Sequence, residues 1–434
     1  MQAERWRELV SHKVGIIKQV AAQGRGSDEP FPPYLYTATL SHFDFRQAEK
    51  ADRVGAGKGS TESEAVCSAI GEAMERYCGF QLNPDRVFLA KWTDLQPAAI
   101  PAQDFVLYSE RQYLSANWPY ARWRNDADVA WINGIELPSQ APVAAPASLA
   151  YLVCPPARAG DFFVPATSSG MAAGATLDSA VLGGLCELME RDAFLITWMN
   201  RLPAVELELA HAGGLVQAIH RHYACFSVDV RCFLLPSDLP ATVVMAVSFD
   251  PSPGKPAQVV GLGCHPNPAI ALSKALLELC QARPSEAGRF ADNPPRERLT
   301  RYEDVRTLDD HSAFAALPER RDEFAFLWAR GTKTRVSDLR NPSRGNVGQD
   351  LKYCETALTA KGCRVAYVDL TLPDLAGYDV HVVRAIATGL HPIHFGFGQE
   401  RLGGRRLFEL PQQLSFADCV RSEADLNPCP HPLA

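Results

Sequence analysis

The sequence predicts a mixed α/β (α+β) protein, and three observations carry that prediction. Short β-branched runs have the length of buried strands, several helices open on capping residues with apolar positions three and four apart, and the composition suffices to fill a core. The 434 residues are 47% hydrophobic and 21% charged, as in ordinary globular proteins.

The first helix starts at Thr61, with Glu64 three residues on in capping-box spacing, and carries Ile70, Ala73, Met74 and Tyr77 on one side. A second follows Gly174 and Thr176 and runs through Leu182, Leu185, Met189 and Phe194. Strands are expected over 228–235, 242–249 and 258–264. A third helix is expected over 268–282, with Ile270, Leu272, Ala275, Leu276 and Leu279 as its apolar side, and a fourth over 349–361, ended by Gly362. Strands at 364–370 and 381–388 complete the pattern. The chain reads as one unit over 1–434. Its core covers about 50–420, after an N-terminal segment 1–50. A charged, Pro-rich surface insertion occupies about 284–344, and a proline-rich tail 424–434.

A net charge of −7 has the wrong sign for a protein whose main partner is nucleic acid. Glu4, Arg5, Arg7 and Glu8 exclude the apolar core of a secretory signal, and prolines interrupt the longest uncharged run, 137–157. The expectation is a cytoplasmic protein with no membrane partner. Twelve scattered cysteines without a C-x-x-C then read as reduced, mostly buried thiols.

The helices are informative on their polar sides. Ser68, Glu72, Glu75 and Arg76 project together from the first, and Glu187, Glu190 and Arg191 from the second, beside Gly183 and Gly184. The third offers Glu278 and Gln281, with Arg283 at its end. Any one Glu-x-x-Glu-Arg is equally a solvated, salt-bridged helix face. Converging in one site, such carboxylates need cations, and Mg²⁺ shared with phosphates is the usual answer, with arginines on the phosphate oxygens. Glycine-rich turns precede both helices, around Lys58 and around Ser169 and Gly170. The first is not a Walker A loop, which needs Gly where Asp52 stands and Ser or Thr where Gly59 stands.

With these residues on the page, the chain resembles the YcaO family of ATP-dependent enzymes that modify peptide backbone amides. The matching stretches are GKGSTESEAVCSAIGEAMER (57–76), SSGMAAGATLDSAVLGGLCELMERDA (168–193) and AIALSKALLELCQAR (269–283). A fourth, VVRAIATGLHPIHFGFGQERLGGRRL (382–407), is similar to the azoline-forming cyclodehydratase branch. The resemblance runs from about residue 30 to the end and implies a mixed α/β fold with a non-Walker ATP site. Carried over by position, it implies nucleotide contacts from Lys58, Ser68, Arg76, Arg191, Glu278, Gln281 and Arg283. Glu72, Glu75, Glu187 and Glu190 would hold Mg²⁺. Ser169 and Ala175 stand where many members place Asn, so amide contacts from those positions are absent.

The ending Pro428-Cys429-Pro430-His431-Pro432-Leu433-Ala434 is, read alone, a disordered tail. The resemblance implies instead a stiff rod made by Pro428, Pro430 and Pro432 that directs the carboxylate of Ala434 into the active site, where it would accept a proton. The implied reaction is ATP-dependent cyclodehydration of Cys, Ser or Thr in a ribosomally made precursor peptide to thiazoline or oxazoline. The implied partners are that peptide, an E1-like leader-peptide-binding protein, since no leader-binding domain is apparent in this chain, a possible flavin dehydrogenase, and a second copy in a homodimer. A thioamide- or amidine-forming relative and, in another class, a carboxylate dimetal hydrolase are the alternatives.

Overall fold

A computed structural model describes residues 2–41, 53–154, 162–292 and 294–433; Asp52 and Ala434 lie outside them. The fold is mixed α/β with three sheets. Strands β1 (Ile17–Ala22), β2 (Tyr34–Leu40) and β3 (Val54–Gly59) form the first, antiparallel throughout. β4 (Val87–Lys91), β5 (Asp128–Glu136), β6 (Pro142–Pro146) and β7 (Met171–Gly174) belong to the second. β8 (Val205–Leu207), β9 (Asp229–Leu234), β10 (Thr242–Phe249), β11 (Gln258–His265) and β12 (Lys333–Thr334) form the third, in the order β11-β10-β9-β8-β12. β13 (Val365–Asp369) and β14 (His381–Ala387) return to the second sheet, ordered β4-β5-β13-β14-β7 with β6 on β5.

Helix α1 (Glu62–Phe80) lies on β3 and β2, α2 (Leu177–Met199) on β14 and β7, and α3 (Pro268–Asp292) on β11 and β10. α4 (Val347–Ala360) packs on α2. Thr61 and Thr176 cap α1 and α2 with complete capping boxes, satisfying amides that the first turn leaves free. Gly362, at φ +86°, ends the turn after α4.

The structure corrects three expectations. The glycine-rich segment at Lys58 is a strand, β3, and the one at Ser169 is a turn leading into the strand β7. The physical reason is the period of the glycines. Gly55, Gly57 and Gly59 alternate on the face of β3 against α1, and a Cβ on Gly57 would lie 2.1 Å from the Ala65 carbonyl oxygen and 2.2 Å from the Ala69 nitrogen. Gly261 and Gly263 do the same for β11 against α3, the latter 2.2 Å from the Ala271 carbonyl oxygen. Second, α3 runs to Asp292, beyond the expected end at Ala282, with Pro284 inside it. Buried Arg283 and Glu286 hold that extra length. Third, the charged segment is not confined to the surface, since Leu299, Val305, Phe314, Phe324 and Leu327 join the main core.

All twelve cysteines are free thiols. Among the described residues no helix is long and apolar enough to cross a membrane.

Replacing Gly57 by Ala forces backbone apart at the β3–α1 contact. The expected cost is about 1–3 kcal/mol of stability, read as a lower denaturation midpoint than wild type in urea; an unchanged midpoint would show that the contact yields freely.

Candidate functional site

Because glycines occupy the inner face of β3, its other face carries Val54, Ala56 and Lys58, and these line a cavity of about 840 Å³. Glu72, Glu75, Ser68 and Arg76 reach it from α1, Glu187, Glu190 and Arg191 from α2, and Glu278 and Gln281 from α3. Main-chain amides fix three of the carboxylates: Ala56 N–H donates to Glu72 at 3.2 Å, Ala173 N–H to Glu75 at 2.8 Å and Gly170 N–H to Glu187 at 3.1 Å. Gly170, at φ +82°, turns the chain so that this amide points at α2. Its carbonyl lies so near Gly184 that a Cβ there would be 2.6 Å from the oxygen.

Cations interleave the acids. Lys58 Nζ sits 3.0 Å from Glu278, which also accepts from the Leu262 N–H at 3.4 Å. Arg191 lies 3.5 Å from Glu187 and 3.9 Å from Glu190, and Arg76 3.3 Å from Glu72. Burial, then the neighbouring Glu72, pushes the Glu75 carboxyl up to about 8. Burial likewise raises Glu190 to about 7 against the pull of Arg191. Glu278, equally desolvated, is held below the usual carboxylate range by Lys58 and Arg191.

Arg283 stands elsewhere, and its expected nucleotide contact is corrected. It is 4% exposed, bonded to Glu29 at 3.0 Å, Ser248 at 3.0 Å and Asp250 at 3.1 Å, and it lies over the Tyr223 ring. Such a saturated guanidinium ties α3 to the N-terminal segment and the end of β10. In its place, Lys274, Ser285 and Arg289 line the cavity with Glu278 and Gln281. Sequence reasoning missed these three, although steps of four, three, four and four residues from Lys274 put them on one helical stripe.

The proline-rich ending is docked. Pro430, His431, Pro432 and Leu433 are buried, Pro428 is exposed, and Leu433 lines the cavity. Trp198, near the end of α2, donates through its indole to the Cys429 carbonyl at 2.9 Å, and Asn427 bonds the Trp198 carbonyl at 3.2 Å. Three buried histidines clasp the rest. His311 stacks on His431 at 4.0 Å between ring centroids, and His394 meets His431 edge-on at 4.9 Å. The Gly396 N–H donates to His311 Nε2 at 2.9 Å, so His311 carries its proton on Nδ1 and donates to the His431 carbonyl at 2.9 Å. Burial lowers His311 to about 4 and holds His394 and His431 well below the ordinary imidazole value, so the clasp is neutral at pH 7.

The residues suit a divalent cation bound together with phosphates. Two of the carboxyls have raised affinity for protons, and the buried Gln281 amide nitrogen has no partner among the described residues. Among the described residues, no three His, Cys, Asp or Glu gather closely enough to cage an ion alone. Mg²⁺ commonly takes one or two carboxylates and completes its shell with phosphate and water.

Comparison with known proteins identifies a family and a fold. The family model described as YcaO cyclodehydratase, ATP- and Mg²⁺-binding, matches residues 56–391. An uncharacterised protein of Methanothermobacter thermautotrophicus is 28% identical over 356 residues, covering 81% of this chain and 84% of that protein. A heterocyclase solved in complex with substrate and cofactor superposes with a TM-score of 0.82 at 22% identity, covering all of this chain, which spans 57% of that heterocyclase. The YcaO protein of Methanopyrus kandleri, bound with AMPPCP and Mg²⁺, gives a TM-score of 0.63 at 25% identity with 89% of each chain covered.

The pKa shifts fix the sign of a pH dependence. Without ligand, Glu75 and Glu190 keep protons that the unfolded chain has already released, so they cost stability as pH rises from the ordinary carboxylate range towards about 8. A divalent cation must expel those protons. Titrating Mg²⁺ with AMPPCP calorimetrically, in two buffers of different ionisation enthalpy, should show proton release at pH 7 and tighter binding as pH rises from about 6 to 8. Binding without proton release would remove both glutamates from the ion's shell.

Proposed function

The chain belongs to the YcaO family, and from that premise we propose that it is an ATP- and Mg²⁺-dependent peptide cyclodehydratase of the azoline-forming kind. One observation carries the reading: Glu72 and Glu75 of α1 meet Glu187 and Glu190 of α2 on a cavity that Lys58, Arg191 and Leu433 also line. The likeness in fold to a heterocyclase holding substrate and cofactor supports it, as does the AMPPCP and Mg²⁺ bound by the Methanopyrus kandleri relative.

In this mechanism a Cys, Ser or Thr side chain of a precursor peptide attacks the preceding carbonyl carbon. The resulting oxyanion attacks the γ-phosphorus of ATP and releases ADP; loss of the amide N–H proton and departure of phosphate then leave the thiazoline or oxazoline, so the peptide loses one water while ATP becomes ADP and phosphate. Phosphorylation is needed because an amide oxygen is a poor leaving group. Glu72, Glu75, Glu187 and Glu190 are the residues that would hold Mg²⁺, which would supply neutralisation of the phosphate charge. Lys58, Ser68, Arg76, Arg191, Glu278 and Gln281 surround the nucleotide, and Arg191 is placed to meet phosphate oxygens while Glu187 and Glu190 hold its guanidinium.

The docked tail supports the azoline branch over thioamide or amidine formation. Pro430 and Pro432 stiffen it, the histidines clasp it, and the carboxylate of Ala434, just beyond Leu433, accepts the proton of the attacking thiol or hydroxyl. A separate leader-binding protein delivers the peptide. The likeness in fold to the Escherichia coli microcin synthetase McbBCD complex, with a TM-score of 0.60 at 16% identity, is compatible with such an assembly.

Thermal unfolding with Mg·ATP tests the site without peptide. At about a hundred times Kd the nucleotide should add roughly 2.7 kcal/mol of stability to wild type and nothing to Glu190→Ala; an equal shift in both would sink the metal assignment. Deleting residues 432–434 should leave that shift intact and abolish dehydration of a Cys-containing precursor supplied with its leader-binding protein, followed by mass spectrometry. Undiminished ring formation by the truncated chain would take the tail out of catalysis.

A further inference from the structure

A second, smaller cavity of about 70 Å³ lies behind the first and shares Ser169 and Arg191 with it as lining residues. Arg384 and Arg401 line it as well, 4% and 3% exposed, and neither has a carboxylate within salt-bridge reach among the described residues. Arg384 is anchored by main-chain carbonyls of Ala150, Ser169 and Thr167, so its side chain is fixed without being neutralised. Arg401 is less satisfied. One Nη makes a 3.4 Å contact to the Val106 carbonyl, the guanidinium lies 5.1 Å from the Tyr108 ring centroid, and its Nε has no partner among the described residues.

Two further polar atoms on the wall are buried and have no partner among the described residues, the Ser148 hydroxyl and His391 Nε2. His391 is held in place by its own backbone, whose N–H donates at 2.8 Å to the fully buried Asp192. A buried cation without a counter-ion is strongly unfavourable, and buried polar atoms are ordinarily paired. Here Arg401, which no carboxylate reaches among the described residues, Arg384, which feels Glu187 and Glu75 only from beyond salt-bridge distance, and three polar atoms unpaired among the described residues converge on one small space. What is missing is an anion that accepts several hydrogen bonds. The space suits one small group and excludes a nucleotide.

We propose that this cavity is a site for a single tetrahedral oxyanion of the phosphate class, seated against Arg401 and Arg384 with Ser148 and His391, and that in turnover it takes the phosphate eliminated from the activated amide. The oxyanion assignment stands on burial and charge; the choice of phosphate rests on the ATP-dependent reading above. Arg191 would connect the two compartments, touching the triphosphate on one side and the departing phosphate on the other.

The test titrates inorganic phosphate calorimetrically into the nucleotide-free protein, wild type and Arg401→Gln, and titrates Mg·AMPPCP into both in parallel. Wild type should bind one phosphate and Arg401→Gln should bind it at least tenfold more weakly, with AMPPCP affinity unchanged. If AMPPCP weakens by the same factor, the oxyanion site stands and its occupant is the γ-phosphate. If wild type binds phosphate through Arg401 but no AMPPCP, the site stands and the ATP-dependent function falls. Equal phosphate binding by both proteins, or none by wild type, overturns the proposal. Should Arg401→Gln not fold, Ser148→Ala removes one donor without touching a charge, and phosphate affinity equal to wild type would overturn the proposal in the same way.

Discussion

The geometry of the site depends on how closely a helix can lie on a strand. An ordinary side chain holds helix and sheet about 10 Å apart, whereas β3 and β11 offer hydrogen atoms where side chains would stand. Backbone then meets backbone along Gly55, Gly57 and Gly59 and again along Gly261 and Gly263. The opposite face of each strand and the polar flank of each helix are thereby drawn to one level, so Lys58 of β3 reaches Glu278 of α3 across 220 positions of sequence. With bulkier residues on the inner face the carboxylates would still exist, but they would not share a cavity.

Bringing so many acids together is unfavourable unless something answers their charge, and the protein answers it unequally. Glu278 is paired with Lys58 and Arg191 and stays ionised. Glu75 and Glu190, less well compensated, hold on to protons. The ligand-free site is therefore already divided into carboxylates bound to the protein's own cations and carboxylates waiting for another. Asp192, next in sequence to Arg191, shows the contrast: Arg406 saturates it at 2.8–2.9 Å, and it fixes α2 and the backbone of His391.

Much of this was legible in the sequence, for definable reasons. The strand 242–249 coincides with β10 because its apolar run suits a strand buried between β9 and β11, and the starts of α1 and α2 follow their capping threonines because local hydrogen bonding decides them. The paired glutamates could be read because helical spacing projects them together. What could not be read depends on contacts distant in sequence. Glycines at every second position suit a loop and a close-packed strand equally, and only the partner helix decides between them. Arg283 follows Gln281 in the motif, yet Glu29, more than 250 residues earlier, draws its side chain away from the cavity. The segment after Pro284 looked peripheral by composition because Phe314 and Phe324 are diluted among charges, and their burial depends on the core they enter.

The docked ending sets an order in time. Trp198 and Cys429, bonded through the indole, are 231 residues apart. A ribosome adding about 5–20 residues per second leaves α2 waiting roughly ten to fifty seconds for the segment that seals its end. During that interval the glutamate-bearing helices can assemble while Leu433 is still absent from the cavity wall. The cluster of acids can therefore form before the wall that completes its cavity, and a chain paused or cut short of the histidine clasp would hold that cluster open to water.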